Sequence, residues 1–450
     1  MHLPMPFLHI HSLRRNRSVS LLLKNGQCIT LHPPSIEAAD VRIHNGLITD
    51  RGNNLSAKRN EEVVDLSGKI LMPGFVNAHT HLYSSLARGM PGPRQQPQNF
   101  LEVLQYVWWK LDRALDDDAI YYSALVGAID AVRCGVTTLI DHHASPKAIP
   151  GSLNIIKNAL EEVGTRGVLC YEVTDRGGKK ERDLGLSENE RFIRVNKKNS
   201  HYRGLVGAHA AFTLSNESLR LCGELAAKHH TGVHIHVAED KCDVTDAEEN
   251  YQCSVIERLS RHNILKKESI LAHCVHLAKS DFLKIHDAQC WLVHNPRSNM
   301  NNRVGYAPVH QFGERAALGT DGFPADMLEE VKFGFFKRMD SGVSQSVDMT
   351  KFLSSGQNMV SEIFGKPFDT LAKGSVADIV VLNYNSPAPL TKENLTGHFL
   401  FGINSSMVES VMIGGKWVMK NREVVGVDVR KVFDKAGRVA KKLWGRMEKV

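Results

Sequence analysis

The sequence predicts an α/β protein: a (β/α)8 TIM barrel carrying a small composite β-sandwich built from both termini. Two observations carry this expectation. Between residues 72 and 372, short apolar runs such as "GVTTLIDHH", "GVLCYEV", "LVGAHAAF", "GVHIHVAE", "SILAHCV", "CWLVHNP" and "AALGTDG" alternate with amphipathic segments, a rhythm that calls for a parallel sheet of barrel size. On either side of that stretch the texture is β-rich, with strands punctuated by Asn-Gly, Ser-Gly and Gly-Gly turns.

In chain order, residues 1–18 show neither periodicity nor a turn signature and are expected to be either a disordered extension or an over-long start. Residues 19–71, with "SVSLLLKNGQCITL", "DVRIHNGLITD" and "EEVVDLSGKILMPG", supply the first half of the sandwich. The barrel occupies 72–372. Residues 373–430, including "ADIVVLNYN" and "SVMIGGKWVMKNREVV", supply the second half. Residues 431–450, in "VFDKAGRVAKKLWGRM", place apolar residues at helical spacing and form a terminal helix.

Composition narrows the class. In 450 residues, 42% hydrophobic and 23% charged content reads as a soluble globular protein. The formal charge of +7 gathers toward the two ends, which is mild surface basicity and not a nucleic-acid footprint. Eight cysteines are scattered without a CxxC pair, fitting reduced thiols in a cytoplasm. The N-terminus lacks the apolar core of a signal peptide, and no segment offers a membrane span.

Several predicted strands end in residues able to bind a metal or move a proton. His79 and His81 in "HTH", and His234 and His236 in "HIHVAED", stand at period-two spacing, so each pair leaves one face of an extended segment. Glu239 follows in the loop after His236. Later strands bring His273, then His294 with Asn299, and finally Asp321 in "LGTDG". In a barrel the C-terminal strand ends converge. The result is two or three imidazoles with a carboxylate, a donor set that suits one divalent ion, zinc first and iron second. Asp321 could take a proton from activated water, and Glu239 could pass one to a leaving group.

The motifs "MPGFVNAHTH", "HIHVAE", "LAHCVHL", "HNPRSNM" and "LGTDG", in this order, resemble the amidohydrolase superfamily, in its cytosine deaminase-like, triazine hydrolase and adenosylhomocysteine deaminase branch. The resemblance runs from about residue 20 to the end. It implies His79, His81, His236 and Asp321 as metal ligands, Glu239 as proton shuttle, and His273 as an electrophilic or water-orienting histidine. It places His209 on the substrate side and Asn299 near the same mouth, and it implies a small-molecule substrate and a homodimer. Binuclear members carry a carboxylated lysine on the fourth strand; the region matched to it, "GVLCYEVTD", has none, so one metal is expected. The function implied is hydrolysis of a non-peptide C–N bond, with deamination of an amino-substituted purine- or pyrimidine-type heterocycle foremost. Dechlorination or cyclic-amide opening at the same site, or a low-turnover metal-binding scaffold, are the alternatives.

Other residues have plainer readings. His142 and His143 end a strand, with support of the site favoured over ligation. His234, His276 and His294 are expected in packing or hydrogen bonding. Adjacent helical residues face different sides, so of Trp108 and Trp109 one should be core and the other a wall; Trp109 is the substrate-binding candidate. Arg297 and Arg303 flank Asn299, and Arg303 could hold a substrate carboxylate or carbonyl. The segment "LYSSLARGMPGPRQQPQNFLEVLQYVWWKLD" departs from nucleoside-deaminating relatives and should set substrate choice.

Overall fold

The structure, a computed structural model, describes residues 20–450; the extension expected at 1–18 lies outside the described residues. Eight parallel strands form the barrel: β1 (Phe75–Thr80), β2 (Val136–His143), β3 (Arg166–Val173), β4 (Val206–Ala210), β5 (Val233–Val237), β6 (Ile270–His273), β7 (Trp291–His294) and β8 (Ala316–Leu318). Neighbours in sequence are neighbours in the sheet. The ring closes where Thr80 pairs with Asp321, and Thr320 N–H donates to the His79 carbonyl at 2.9 Å. Closure therefore occurs at the residues that carry the chemistry.

The strands are buried on both faces, as parallel strands covered by helices must be. In β5, Val233, Ile235 and Val237 join the apolar core packed beneath the helices. The period of two then turns His234 and His236 to the opposite side. The helices start at side-chain caps: Asp116 accepts from Ala119 N–H at 2.9 Å, and Ser215 from Ser218 N–H at 3.2 Å.

A second sheet of nine strands draws from both termini. Its N-terminal strands include Ser20–Leu31 and Ile70–Pro73, and its C-terminal strands include Ile379–Leu382 and Val408–Ile413. The halves meet where Ile70–Pro73 runs antiparallel to Ile379–Leu382. Alternation again sorts side chains. Leu21, Leu71, Ile379 and Val381 enclose a core of their own, while Ile70, Met72, Val380 and Leu382 join the barrel's core. Arg166 at the start of β3 forms a two-pronged ion pair with Asp378, both bonds 3.0 Å, tying this sheet to the face of the barrel away from the site.

The terminal helix spans Val429–Met447. Trp444 Nε1 donates to the Leu86 carbonyl at 2.9 Å and Arg446 Nε to the Ala114 carbonyl at 2.7 Å. It thereby braces the segment that follows the first histidine pair.

Candidate active site and metal centre

The strand ends deliver His79 and His81 from β1, His236 from β5 and His273 from β6, with Asp321 just past β8. Ligand atoms of His79, His236, His273 and Asp321 lie within 4.8 Å of one another. His81 Nε2 is 3.1 Å from His236 Nε2 and 3.0 Å from Asp321 Oδ1. Two of these residues, and Ala238 just past β5, have left-handed backbone: φ is 72° at His273, 53° at Asp321 and 45° at Ala238. Such conformations are disfavoured for L-residues and cluster at functional sites. Here the turn at Ala238 brings Glu239 round to the cleft.

The hydrogen bonds fix the tautomers. His81 Nδ1 donates to the His142 carbonyl at 2.6 Å, and His236 Nδ1 to the His209 carbonyl at 2.7 Å. Both rings therefore present Nε2 lone pairs to each other across 3.1 Å, an arrangement that is repulsive unless a cation lies between them. His79 Nδ1 lies 2.9 Å from His234 Nε2, and its own Nε2 is buried without a partner. The donor set thus fits a divalent ion. A proton would compete for the same place: burial opposes charge on His81, but the Asp321 carboxylate carries it up to about 9. Burial holds His79 down to about 3. Burial raises Asp321, yet the flanking imidazoles hold it well below the usual carboxylate range.

Beside this group, His273 Nδ1 donates to Asn299 Oδ1 at 2.8 Å, leaving its Nε2 3.5 Å from Glu239. Burial pushes Glu239 up to about 7, with His273 opposing. A carboxyl poised near neutrality is suited to proton transfer. Asn302 Nδ2 donates to its other oxygen at 3.2 Å.

These groups open on a cleft walled by Tyr83, Phe100, Trp108, Trp109 and Phe212. Both tryptophans line it, contrary to the alternation expected of adjacent helical residues, because residues Leu104–Trp108 form a π-helical turn that shifts the helical phase. His209 lines it too, its ring 5.6 Å from His236 and 6.4 Å from Trp109. Asn299 is instead buried behind His273. Arg303 is exposed and does not line the cleft. Arg297 is committed to Glu330 and Glu329, at 2.5 Å each.

Ring order corrects one assignment. "GVLCYEVTD" is the third strand, and the fourth is Val206–Ala210. A short extra strand, Tyr202–Gly204, lies between them in the chain and pairs with the third strand outside the ring. The fourth strand also lacks lysine. The third contributes what sequence reasoning missed. Glu172 is buried at its end, with Oε1 3.2 Å from Arg176 and 3.9 Å from His209 Nε2. Asp112 lies 3.0 Å from Arg176 on the other side. The available signal was a carboxylate at the end of the otherwise apolar run "GVLCY", four residues before an arginine. Burial raises Asp112 to about 7 despite Arg176. Burial also opposes charge on Glu172, but His209, His142 and Arg176 hold it well below the carboxylate range.

The histidines expected to play supporting parts also have positions. His142 Nε2 faces the Ala208 and His234 carbonyls at 3.1 Å. His143 bonds Ser145 at 2.9 Å, and His276 Nε2 donates to the Val304 carbonyl at 2.7 Å. His294 is buried with neither nitrogen partnered.

The fold and site define a barrel hydrolase with a buried imidazole–carboxylate centre. The chain belongs to the amidohydrolase family, whose pattern matches residues 70–418, and it is a hydrolase of carbon–nitrogen bonds other than peptide bonds. It is 30% identical over 412 residues to a 5-methylthioadenosine/S-adenosylhomocysteine deaminase of Thermococcus sibiricus, covering 89% of this chain and 94% of that one. It is 29% identical over 391 residues to a 5'-deoxyadenosine deaminase of Methanocaldococcus jannaschii, covering 84% and 90%. Its fold is similar to that of a zinc-bound adenosine deaminase from Xanthomonas campestris, with a TM-score of 0.83 at 19% identity over 96% of this chain and 99% of the other.

Proposed function

We propose that the protein deaminates an amino-substituted purine- or pyrimidine-type heterocycle by hydrolysis, using one divalent ion, zinc in preference to iron, held by His79, His81, His236 and Asp321. The single observation that carries this reading is the pair of Nε2 lone pairs on His81 and His236, 3.1 Å apart beside Asp321, with Glu239 and His273 next to them. When bound, such an ion lowers the pKa of a coordinated water from ~15.7 toward ~7. Asp321 receives the proton of the attacking water. Glu239, protonated near neutral pH, delivers a proton to the ring nitrogen adjoining the attacked carbon and then helps expel ammonia. His273, fixed by Asn299, steadies the oxygen that attacks. His209 and Trp109 border the ring, and the aromatic walls exclude water. Arg303 lies off the cleft and has no part in this scheme.

A homodimer is supported by a cluster of exposed apolar side chains, with Phe333, Phe336, Met339 and Phe401 between 40% and 69% exposed, an unusual patch for a monomer. Among the described residues no helix is long and apolar enough to cross a membrane. The eight free cysteines support a reducing, cytoplasmic setting.

The test is metal analysis coupled to an ammonia-release screen over purines, pyrimidines and their nucleosides. Release of ammonia by metal-loaded protein, lost in Glu239→Gln with metal retained, is the expected result. Chloride release from a chlorinated triazine, or ring opening without ammonia, would replace this reading with the corresponding hydrolysis.

A further inference from the structure

The carboxylates around the cleft have no free cation to balance them. Six line it: Asp112, Glu172, Glu239, Asp240, Asp243 and Asp321, and no lysine or arginine among the described residues does. Four are accounted for. Asp321 and Glu239 belong to the chemistry. Asp240 caps a helix through Cys242 N–H at 3.0 Å, and Asp243 accepts from Phe212 and Ala238 N–H at 3.0 and 2.8 Å.

Asp112 and Glu172 remain, and they share one guanidinium. Arg176 reaches both, at 3.0 and 3.2 Å, and lies 4.7 Å from the centre of the Trp109 ring. His142 Nδ1 also lies 3.3 Å from Glu172, so Glu172 is met by both Arg176 and an imidazole, and Asp112 is the carboxylate left without a cation of its own. Asp112 is 98% buried and its Oδ1 has no partner. This end of the cleft stands one imidazole away from the reacting centre, since His209 lies between Trp109 and His236. Arg297 and Arg303, the residues that could have met an anion, are paired with glutamates or exposed elsewhere.

We propose that Asp112, Glu172 and Arg176 make this end of the cleft a selectivity element. It admits an uncharged or cationic ring rich in N–H or O–H donors and turns away the same ring bearing a phosphate or carboxylate. The inference rests on the deaminase reading and names its substrate class. A planar ring fits between the aromatic walls, and its donors meet acceptors at the far end. An anionic group within about 6 Å of one uncompensated carboxylate, at an effective dielectric constant of about 20, is disfavoured about 100-fold.

The experiment, at pH 8 where Asp112 is ionised, uses matched pairs that differ in one anionic group: adenosine against adenosine 5'-monophosphate, and adenosine 5'-carboxamide against adenosine 5'-carboxylic acid. Ammonia release by metal-loaded enzyme is expected to favour the anion-free member about 100-fold in kcat/KM, mostly through KM. In Glu172→Gln and in Asp112→Asn that ratio should fall at least about tenfold. A merely structural role would lower both members alike and leave the ratio unchanged. A wild-type ratio within tenfold, or a ratio unmoved in both variants when folded and metal-loaded, overturns the proposal. If no pair releases ammonia the deaminase reading fails separately. Equilibrium dialysis of the same pairs on metal-loaded protein then reads the selectivity as a ratio of Kd values, with the same expected and overturning results.

Discussion

His81 Nε2 and His236 Nε2 face each other at 3.1 Å, each ring pinned from behind by a hydrogen bond from Nδ1 to a backbone carbonyl. The backbone bonds assign the proton to Nδ1, so the pair is stable as drawn when a cation replaces the repulsion. One metal ion per chain is therefore expected. Chelation should abolish activity and lower Tm, because an ion that binds the folded state stabilises it by about 4 kcal/mol at 1,000 times its Kd. Elemental analysis and calorimetry before and after chelation check this. An unchanged Tm together with full activity after complete metal removal would refute it.

Glu239 should act as the proton carrier. Glu239→Gln keeps the shape and removes the titrating group, so kcat is expected to fall by about 10² to 10⁴ while bound metal stays constant. Burial raises Glu239 to about 7, and the protonated form is the donor. Activity dependent on it is full below that value and falls as pH rises through it. A kcat/KM profile flat from pH 6 to 9 would exclude Glu239 as donor.

Asn299 Oδ1 accepts a hydrogen bond from His273 Nδ1 at 2.8 Å and does not line the cleft. Asn299→Ala should free the His273 ring to turn or change tautomer, lowering kcat roughly 10- to 100-fold with KM and metal content little changed. Asn299→Asp, which keeps the acceptor, should recover part of the loss. Steady-state kinetics separate these outcomes from a simple folding defect, which would lower active-site concentration in both variants.

Gly319 shows why the last strand ends as it does. A Cβ there would lie 2.4 Å from Asn295 Oδ1 and 2.8 Å from both Cβ and the carbonyl oxygen of His79. Gly319→Ala is expected to destabilise the protein by about 1–3 kcal/mol and to weaken metal binding by displacing His79. Denaturant unfolding with and without metal measures the two effects; a variant matching wild type in both would show that the closure of the barrel tolerates movement here.

Arg297 and Arg303, similar in sequence context, should differ sharply. Glu330 is fully buried and Arg297 Nε lies 2.5 Å from it. Arg297→Met strands that carboxyl and should cost about 3–5 kcal/mol. Arg303→Ala, at an exposed position, should change stability by less than about 0.5 kcal/mol and leave KM unaltered. Thermal unfolding of the two variants decides it; a rise in KM for Arg303→Ala would return that residue to the substrate.

The positions of His79, His81, His236, His273 and Asp321 were legible because they depend on local rules. A period of two puts both histidines of a pair on one face, and strand–helix alternation sends all strand ends to one rim. The exposure of Arg303, the retreat of Asn299 behind His273 and the joint presence of Trp108 and Trp109 in the cleft were not legible. Each follows from a neighbour distant in sequence or from a π-helical turn without a compositional signature.

By itself, then, the sequence determined the alternating architecture, the two terminal contributions to a second sheet and the set of groups that meet at the barrel's rim. Tertiary structure decided which strand is third and which fourth, how Glu172 and Asp112 come to share Arg176, and which arginines are already paired. Periodicity is written into every short window of the chain, whereas charge compensation depends on what folding buries together. That sum is made across strands and loops far apart in sequence.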